Sequence, residues 1–109
     1  MRLVLRAAAR RDIILQVGYY IDELAYGAAE RFPAAIEQKQ AFHQIQEQPG
    51  VGSPRPPENP KLTGLRSWPV PGFDDIRIYY LQPQPTLIRV VRVLHGKRDL
   101  AQILGVPQE

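Results

Sequence analysis

The sequence predicts an α+β domain in which a helical hairpin packs on a small, largely antiparallel sheet. A helical pattern fills the first half of the chain, a proline-rich loop follows, and β-rich runs fill the second half. The predicted order is β-α-α-β-β-β, followed by a short C-terminal helix. At 109 residues the chain is long enough for one domain, predicted to span residues 1–109, and too short for two.

The first half opens with a short strand-like run at residues 3–5 and becomes helical from Ala7. Apolar residues at helical spacing predict one buried stripe of a helix that ends near Gly27: Ile14, Val17, Ile21 and Leu24. A second helix is predicted over residues 28–47, with either a kink at Pro33 or its true start there. A short connection makes the two helices an antiparallel hairpin.

The second half is predicted to form strands. Residues 49–60 hold five prolines and two glycines, which favours a loop with no helix or ladder of its own. Strands are predicted at residues 62–68, 75–81 and 86–94, with a turn at 82–85. Alternation places Ile76, Ile78 and Tyr80 on one face and Arg77 and Tyr79 on the other. In the last run it separates two sets: Leu87, Val91 and Val93, and Ile88, Val90 and Leu94.

Composition excludes several classes of protein. The chain has no cysteine, so disulfides, thiolate metal sites and a cysteine nucleophile are excluded. The apolar run near the N-terminus is too short for a signal-peptide core. The longest uncharged run, residues 78–88, contains two prolines and is too short to cross a bilayer. We therefore expect a cytoplasmic protein with no membrane partner.

The net charge of +3 comes entirely from the second half. Residues 61–109 hold seven basic and four acidic side chains, whereas residues 1–60 hold seven of each. This asymmetry favours an anionic partner, although a mildly basic domain without one fits equally well. Arg89 and Arg92 are three residues apart and are therefore predicted on opposite faces of a strand. Arg66 and Arg89 have an alternative role, which is to stack on Trp68 and Tyr79.

Four strings carry a family resemblance: AAERF at residues 28–32, KLTGLR at 61–66, IRIYY at 76–80 and RVLHGKRDL at 92–100. In this order they resemble the ParE/RelE superfamily of bacterial toxins, over a span from Arg2 to about Leu104. The resemblance implies a RelE/ParE-like fold. It also implies the toxin of a type II toxin–antitoxin system, neutralised by a small, acidic, partly disordered antitoxin.

The superfamily has two branches with different actions. RelE-like members are ribosome-dependent nucleases that cut mRNA, whereas ParE-like members poison DNA gyrase. Arg77 and Arg98 match arginine positions of the nuclease branch, but residues 67–71 contain no lysine. The chain therefore resembles the ParE, or plasmid-stabilisation, branch more closely. We expect a gyrase inhibitor with no catalytic residues and no cofactor.

The resemblance assigns gyrase contact to the last strand, the loop after it and the tail: Arg92, His95, Lys97, Arg98, Leu100, Ile103 and Leu104. Asp99 is predicted to cap a tail helix carrying the last three of these.

Two alternatives remain open. One is a ribosome-dependent mRNA endonuclease using Arg77, His95 and Arg98, in which His95 transfers protons because its ordinary pKa is about 6.5. The competing interpretation of His95 is purely structural: the residue ends a strand and hydrogen-bonds the adjacent loop. The other alternative is an inactive partner-binding module. We expect no metal site at His43, on the premise that no second ligand stands four residues further on.

Overall fold

The computed structural model describes residues 2–36, 41–55 and 62–96. Its elements, in chain order, are β1 (Arg2–Leu5), α1 (Ala7–Asp22), α2 (Tyr26–Ala34), α3 (Ala41–Glu47), β2 (Ser53–Pro54), β3 (Arg66–Val70), β4 (Phe73–Gln84) and β5 (Leu87–His95). The α+β prediction is confirmed. The predicted tail helix, with Asp99, Leu100, Ile103 and Leu104, lies outside the described residues.

The five strands form one sheet in the order β1-β5-β4-β3-β2. β1 pairs with β5 in parallel and the other neighbours are antiparallel, so the predicted largely antiparallel sheet is confirmed. The predicted turn at residues 82–85 is wrong. Gln84 still pairs with Leu87, which leaves Pro85 and Thr86 as the turn of the β4–β5 hairpin.

A β-bulge in β5 changes which face its last residues occupy. Tyr80 pairs with Val90 and Tyr79 with Arg92, so Val91 is an extra residue without a partner on β4. An extra residue reverses strict alternation beyond it. Val93 therefore joins Ile88 and Val90 in the main core, and Leu94 packs with Val91 on the other face. The predicted grouping of Val93 and Leu94 is wrong for this reason.

The main core lies between the helices and one face of the sheet, which we call the helix-covered face. Tyr20, Phe32 and Phe73 hold the helical hairpin on this face through ring contacts of 5.1–5.7 Å between centroids. The predicted faces of β4 are confirmed, because Ile76, Ile78 and Tyr80 pack in the main core and Tyr79 packs on the opposite side of the sheet. On the opposite face, which we call the open face, a smaller buried cluster forms from Leu62, Leu65, Tyr79, Leu81 and Val91.

The predicted buried stripe of α1 is wrong. Ile14, Ile21 and Leu24 are exposed, and of the four only Val17 packs against the core. The helix instead buries the face carrying Ala9, Ile13 and Asp12. A buried aspartate was unexpected, because a charge normally marks the solvent face. Its partner lies eighty residues further along the chain, where helical periodicity cannot detect it.

The second predicted helix is two helices. α2 begins at Tyr26, not near Pro33, and ends one residue beyond that proline. The chain continues from α2 into π-helical residues 35–36, and this departure from α geometry follows a proline that provides no N–H for the helical ladder and crowds the preceding turn. α3 starts at Ala41. The connection between α1 and α2 is short, and α1 ends at Asp22 rather than near Gly27.

Residues 49–55 are anchored, in contrast to the predicted loop without a ladder. The Tyr80 hydroxyl donates to the carbonyl of Pro49 (2.6 Å) and accepts the N–H of Gly52 (2.9 Å). Ser53–Pro54 then pairs with β3. The predicted strand at residues 62–68 starts late, at Arg66, because Gly64 takes a positive φ of 84° in a preceding turn.

Candidate functional site

Arg92, a predicted target contact, is bound to Asp12 of α1. Its Nε and Nη2 donate to the two carboxylate oxygens at 2.8 and 2.9 Å, and the backbone N–H of Val93 donates to the same carboxylate at 3.0 Å. The Asp12 residue is only 8% exposed. A buried charge is tolerated when it is paired and hydrogen-bonded, as here. Arg92 therefore joins α1 to β5.

His95 ends β5 on the helix-covered face. It pairs with Ile76, and directly opposed residues point to the same face of a sheet. It lines a pocket of about 550 Å³ whose other walls include Gln16, Tyr19, Tyr20, Asp74 and Asp75. The pocket lies between α1 and the start of β4. His95 thus has neighbours from the helical hairpin.

Arg77 lies on the open face, where it pairs across the ladder with Leu94. Its Nε donates to Ser67 Oγ at 2.9 Å and its Nη2 approaches the Ser67 carbonyl at 3.3 Å. Burial lowers the pKa of Arg77, the nearby positive charge of Arg55 lowers it further, and Tyr79 acts in the opposite direction.

The sheet separates the two described members of the predicted nuclease set. Arg77 contacts Ser67 on the open face, whereas His95 faces α1 on the helix-covered face. Residues adjacent in a ladder but on opposite faces cannot contact one small reacting group together. The third member, Arg98, lies outside the described residues with Lys97, Leu100, Ile103 and Leu104.

The other predicted basic residues have separate environments. Arg66 donates to the carbonyls of Gly52 (2.7 Å) and Gly50 (3.4 Å). Its guanidinium therefore holds the turn at residues 49–52, in place of the predicted alternative of stacking on an aromatic ring. Arg89 lies opposite Leu81, on the open face. Arg92 lies opposite Tyr79, which is also on the open face, because the bulge at Val91 reverses the alternation between the two arginines. The prediction from spacing alone therefore fails, and what distinguishes Arg92 from Arg89 is its contact with Asp12 of α1.

The outward side of α1 and the start of α2 expose large apolar residues. We call this set the outer helix surface, and it consists of Ile14, Leu15, Tyr19, Ile21, Leu24 and Tyr26. Ile14 and Leu15 are each 64% exposed and Leu24 is 72% exposed. Gly18 lies within the surface, and a Cβ there would meet nothing within 4 Å. Contiguous exposed apolar groups of this kind mark interaction sites.

Sequence reasoning missed this surface because it assigned one apolar stripe of α1 to the core. The signal was present in the composition of the helix. Apolar residues stand on more than one side of α1, which is typical of a helix with two partners. Leu24 adds a second signal in the structure, because its φ is +58°. A non-glycine residue in this left-handed region is strained.

The expectation at His43 rested on a wrong premise. Glu47 does stand four residues further on, and its Oε1 lies 3.0 Å from the His43 Nε2. The pair is exposed and supplies two groups. Within residues 2–36, 41–55 and 62–96, no three His, Cys, Asp or Glu side chains gather around a possible metal position. In the same part of the chain, no helix combines the length and apolarity needed to cross a membrane.

In the part of the chain that the structure describes, these observations define a small α+β domain with an uncovered apolar helix surface. A family model described as "ParE toxin of type II toxin-antitoxin system, parDE" matches residues 3–100. The chain therefore belongs to the ParE toxin family, and its fold is consistent with RelE/ParE-like toxins. Membership implies an antitoxin partner. A search among curated proteins found no match to the chain.

Proposed function

We propose that this toxin arrests bacterial growth by poisoning DNA gyrase in the cytoplasm and that a small acidic antitoxin neutralises it. One observation carries the choice of gyrase over mRNA: Arg77 and His95 lie on opposite faces of the sheet. Cleavage of RNA needs cations and a proton-transferring group around one phosphate. The separation, together with the lack of lysine at residues 67–71, disfavours that chemistry.

We assign contact with gyrase to the end of β5 and the residues after it. His95 is half-buried, lines its pocket and is the last residue of β5 before the proposed contact. The residues from Lys97 to Leu104 remain the proposed contact, on the basis of the family resemblance. Arg92 contributes indirectly, because its pairing with Asp12 fixes β5 against α1.

We assign the antitoxin to the outer helix surface. Its apolar residues are uncovered in the isolated chain, and Gly18 leaves room for another backbone to approach closely. An amphipathic segment that folds on binding suits such a surface. The +3 charge of the chain favours an acidic segment, because opposite charges accelerate association.

The proposal is tested with the wild-type chain, His95→Ala and a truncation that removes residues 98–109. His43→Ala is the matched control, because that histidine is exposed on α3. Each protein is assayed for gyrase supercoiling, for cleavage of mRNA on programmed ribosomes, and for toxicity to cells.

The expected result is inhibited supercoiling, no mRNA cleavage, and toxicity that survives His95→Ala and disappears on truncation. A general acid or base contributes about 10²–10⁴-fold in rate, so a nuclease would lose most of its activity with His95 alone. Cleavage of mRNA that depends on His95, with supercoiling unaffected, would overturn the proposal. A chain inactive in all three assays would overturn it in favour of a partner-binding module.

A further inference from the structure

Two arginines on the open face converge on one buried hydroxyl. The Nε groups of Arg55 and Arg77 each donate to Ser67 Oγ at 2.9 Å. Arg55 follows β2 and is held there by its backbone N–H, which donates to the carbonyl of Leu65 at 2.8 Å. Arg77 comes from β4, on the other side of β3. Ser67 lies between them and is fully buried.

No carboxylate among the described residues pairs with either guanidinium. The ion pairs in that part of the chain join His43 to Glu47 and Arg92 to Asp12. Two positive charges therefore share a neutral oxygen at a partly buried position, flanked by the fully buried Leu65 and Tyr79. Like charges in such surroundings repel more strongly than in water. The lowered pKa of Arg77, caused first by burial and then by Arg55, agrees with this geometry.

We propose that Arg55 and Arg77 form a binding site for a carboxylate of an acidic peptide segment. Ser67 Oγ accepts from both Nε groups and the Ser67 carbonyl accepts from Arg77 Nη2, which fixes both guanidiniums and leaves the other Nη N–H groups to bind an incoming oxygen. Ser67 is a positioning residue, because it orders two long side chains before a ligand arrives. A carboxylate accepts up to four hydrogen bonds in one plane and would relieve the repulsion between the two cations.

A single carboxylate fits the site better than a nucleic-acid backbone. Affinity for phosphate backbones grows with the number of phosphates neutralised, and therefore needs a row of cations. Two other arginines of β3 and β5 are already engaged, Arg66 by the carbonyls of Gly50 and Gly52 and Arg92 by Asp12. The proposal depends on the proposed function only in naming the acidic antitoxin as the source of the carboxylate.

The test uses the purified full chain and three probes: a hexaglutamate peptide, a hexaglutamine peptide and a hexathymidylate oligonucleotide. The arginine Nε–H resonances are followed by ¹⁵N NMR. Hexaglutamate is expected to shift the Arg55 and Arg77 signals saturably, and hexaglutamine is expected to leave them in place. Because neither gyrase nor an antitoxin is present, this result is independent of the gyrase assays.

Three variants locate the binding. Arg55→Gln is expected to weaken hexaglutamate binding about tenfold, since a charge-assisted bond is lost. Arg89→Gln, which removes an arginine of the same face outside the pair, is the control and should change binding less than about twofold. Arg77→Lys keeps the positive charge but replaces the planar, two-pronged guanidinium with an ammonium group. This variant should therefore bind hexaglutamate several times more weakly than wild type. Thermal unfolding confirms that each variant is folded, and Arg55 at the sheet edge provides the test if Arg77→Lys does not fold.

Three results of the NMR and binding experiments would each contradict a carboxylate site at Arg55 and Arg77. Unmoved Arg55 and Arg77 signals, or equal losses in Arg55→Gln and Arg89→Gln, would overturn the proposal. Tighter binding of hexathymidylate than of hexaglutamate at these two arginines would also overturn it, in favour of a phosphate ligand.

Discussion

Asp12 and Arg92 form a bidentate ion pair between the first helix and the last strand, across eighty residues of sequence. The same carboxylate accepts the N–H of Val93 at 3.0 Å, just beyond the point where β1 stops pairing with β5. The pair therefore completes the hydrogen bonding of β5 where the parallel neighbour ends. It also fixes which side of α1 meets the sheet, and hence which apolar residues remain outside.

Removing one partner of this pair should be strongly destabilising. Asp12→Ala removes the carboxylate that accepts from Arg92 and from the Val93 N–H, and we expect the free energy of unfolding to fall by about 3–5 kcal/mol. Asp22→Ala, at an exposed position of the same helix, is the control and should cost less than about 0.5 kcal/mol. Urea denaturation monitored by circular dichroism measures both. Equal effects of the two substitutions would contradict the structural role of the pair.

Replacing both partners should restore much of the loss. Asp12→Leu combined with Arg92→Met substitutes apolar groups for both charges, and such replacements in other proteins are often neutral or stabilising. The coupling energy from the double-mutant cycle is expected to be roughly 1–3 kcal/mol, because the residues are in direct contact. A coupling near zero would mean that the two side chains act independently.

Tyr80 should be the main anchor of the residue 49–52 turn. Its hydroxyl donates to Pro49 and accepts from Gly52, and Tyr80→Phe removes both bonds. We expect a loss of about 1–3 kcal/mol in the free energy of unfolding. Tyr26→Phe is the control, because Tyr26 is 61% exposed. Chemical denaturation at pH 7 provides the comparison, and a loss no larger than that of the control would contradict the assignment.

The same residue should make stability depend on alkaline pH. Burial raises the pKa of Tyr80 above its ordinary value of 10.0, with partial opposition from the Gly52 N–H and from Arg66. The folded state therefore holds this proton at a pH where the unfolded state releases it. Its contribution is complete below pH 10 and is lost as pH rises through the folded pKa. The stability difference between wild type and Tyr80→Phe should accordingly shrink above pH 10.

The fold could be predicted from the sequence where local patterns decide it. β4 alternates in sequence and in structure, with Ile76, Ile78 and Tyr80 packed under the helices. The order of elements followed from such patterns and from the family strings. These signals are local, and hydrophobic periodicity reports them directly.

The remaining features depend on contacts between distant residues. The burial of Asp12 needs Arg92, and the side on which Val93 points depends on the bulge at Val91. The convergence of Arg55 and Arg77 on Ser67 joins three separate segments. Neither charge asymmetry nor strand spacing contains this information, so the predicted residues included Arg77 but neither Ser67 nor Arg55.

Gly18 should matter for the antitoxin more than for the fold. In the isolated chain, Gly18→Ala meets no neighbour and replaces a poor helix former, so we expect about 1 kcal/mol of added stability. Gly18→Arg places a long side chain in the middle of the outer helix surface and should weaken antitoxin binding at least about tenfold. His43→Arg, exposed on α3, is the control. Calorimetric titration with the antitoxin measures the difference, and unchanged affinity in Gly18→Arg would remove this surface from the interface.

Leu24 stands where helices favour glycine. The N–H of Ala25 donates to the carbonyl of Tyr20 and the N–H of Leu24 to that of Ile21, which is the bonding pattern of a Schellman motif. Its positive φ of 58° costs about 1–2 kcal/mol relative to glycine, yet the side chain is 72% exposed. Strain retained at an exposed apolar residue favours a role in binding.

Two substitutions separate the strain of Leu24 from its contact. Leu24→Gly removes both the strain and the side chain, so the isolated toxin should gain about 1 kcal/mol of stability. Leu24→Ala removes only the side chain and should leave stability nearly unchanged. Both should weaken antitoxin binding by a similar factor, because the lost contact is the same. Thermal unfolding and calorimetric titration provide the two readouts. A stabilised Leu24→Gly variant that binds the antitoxin as tightly as wild type would show that the strain serves some purpose other than this contact.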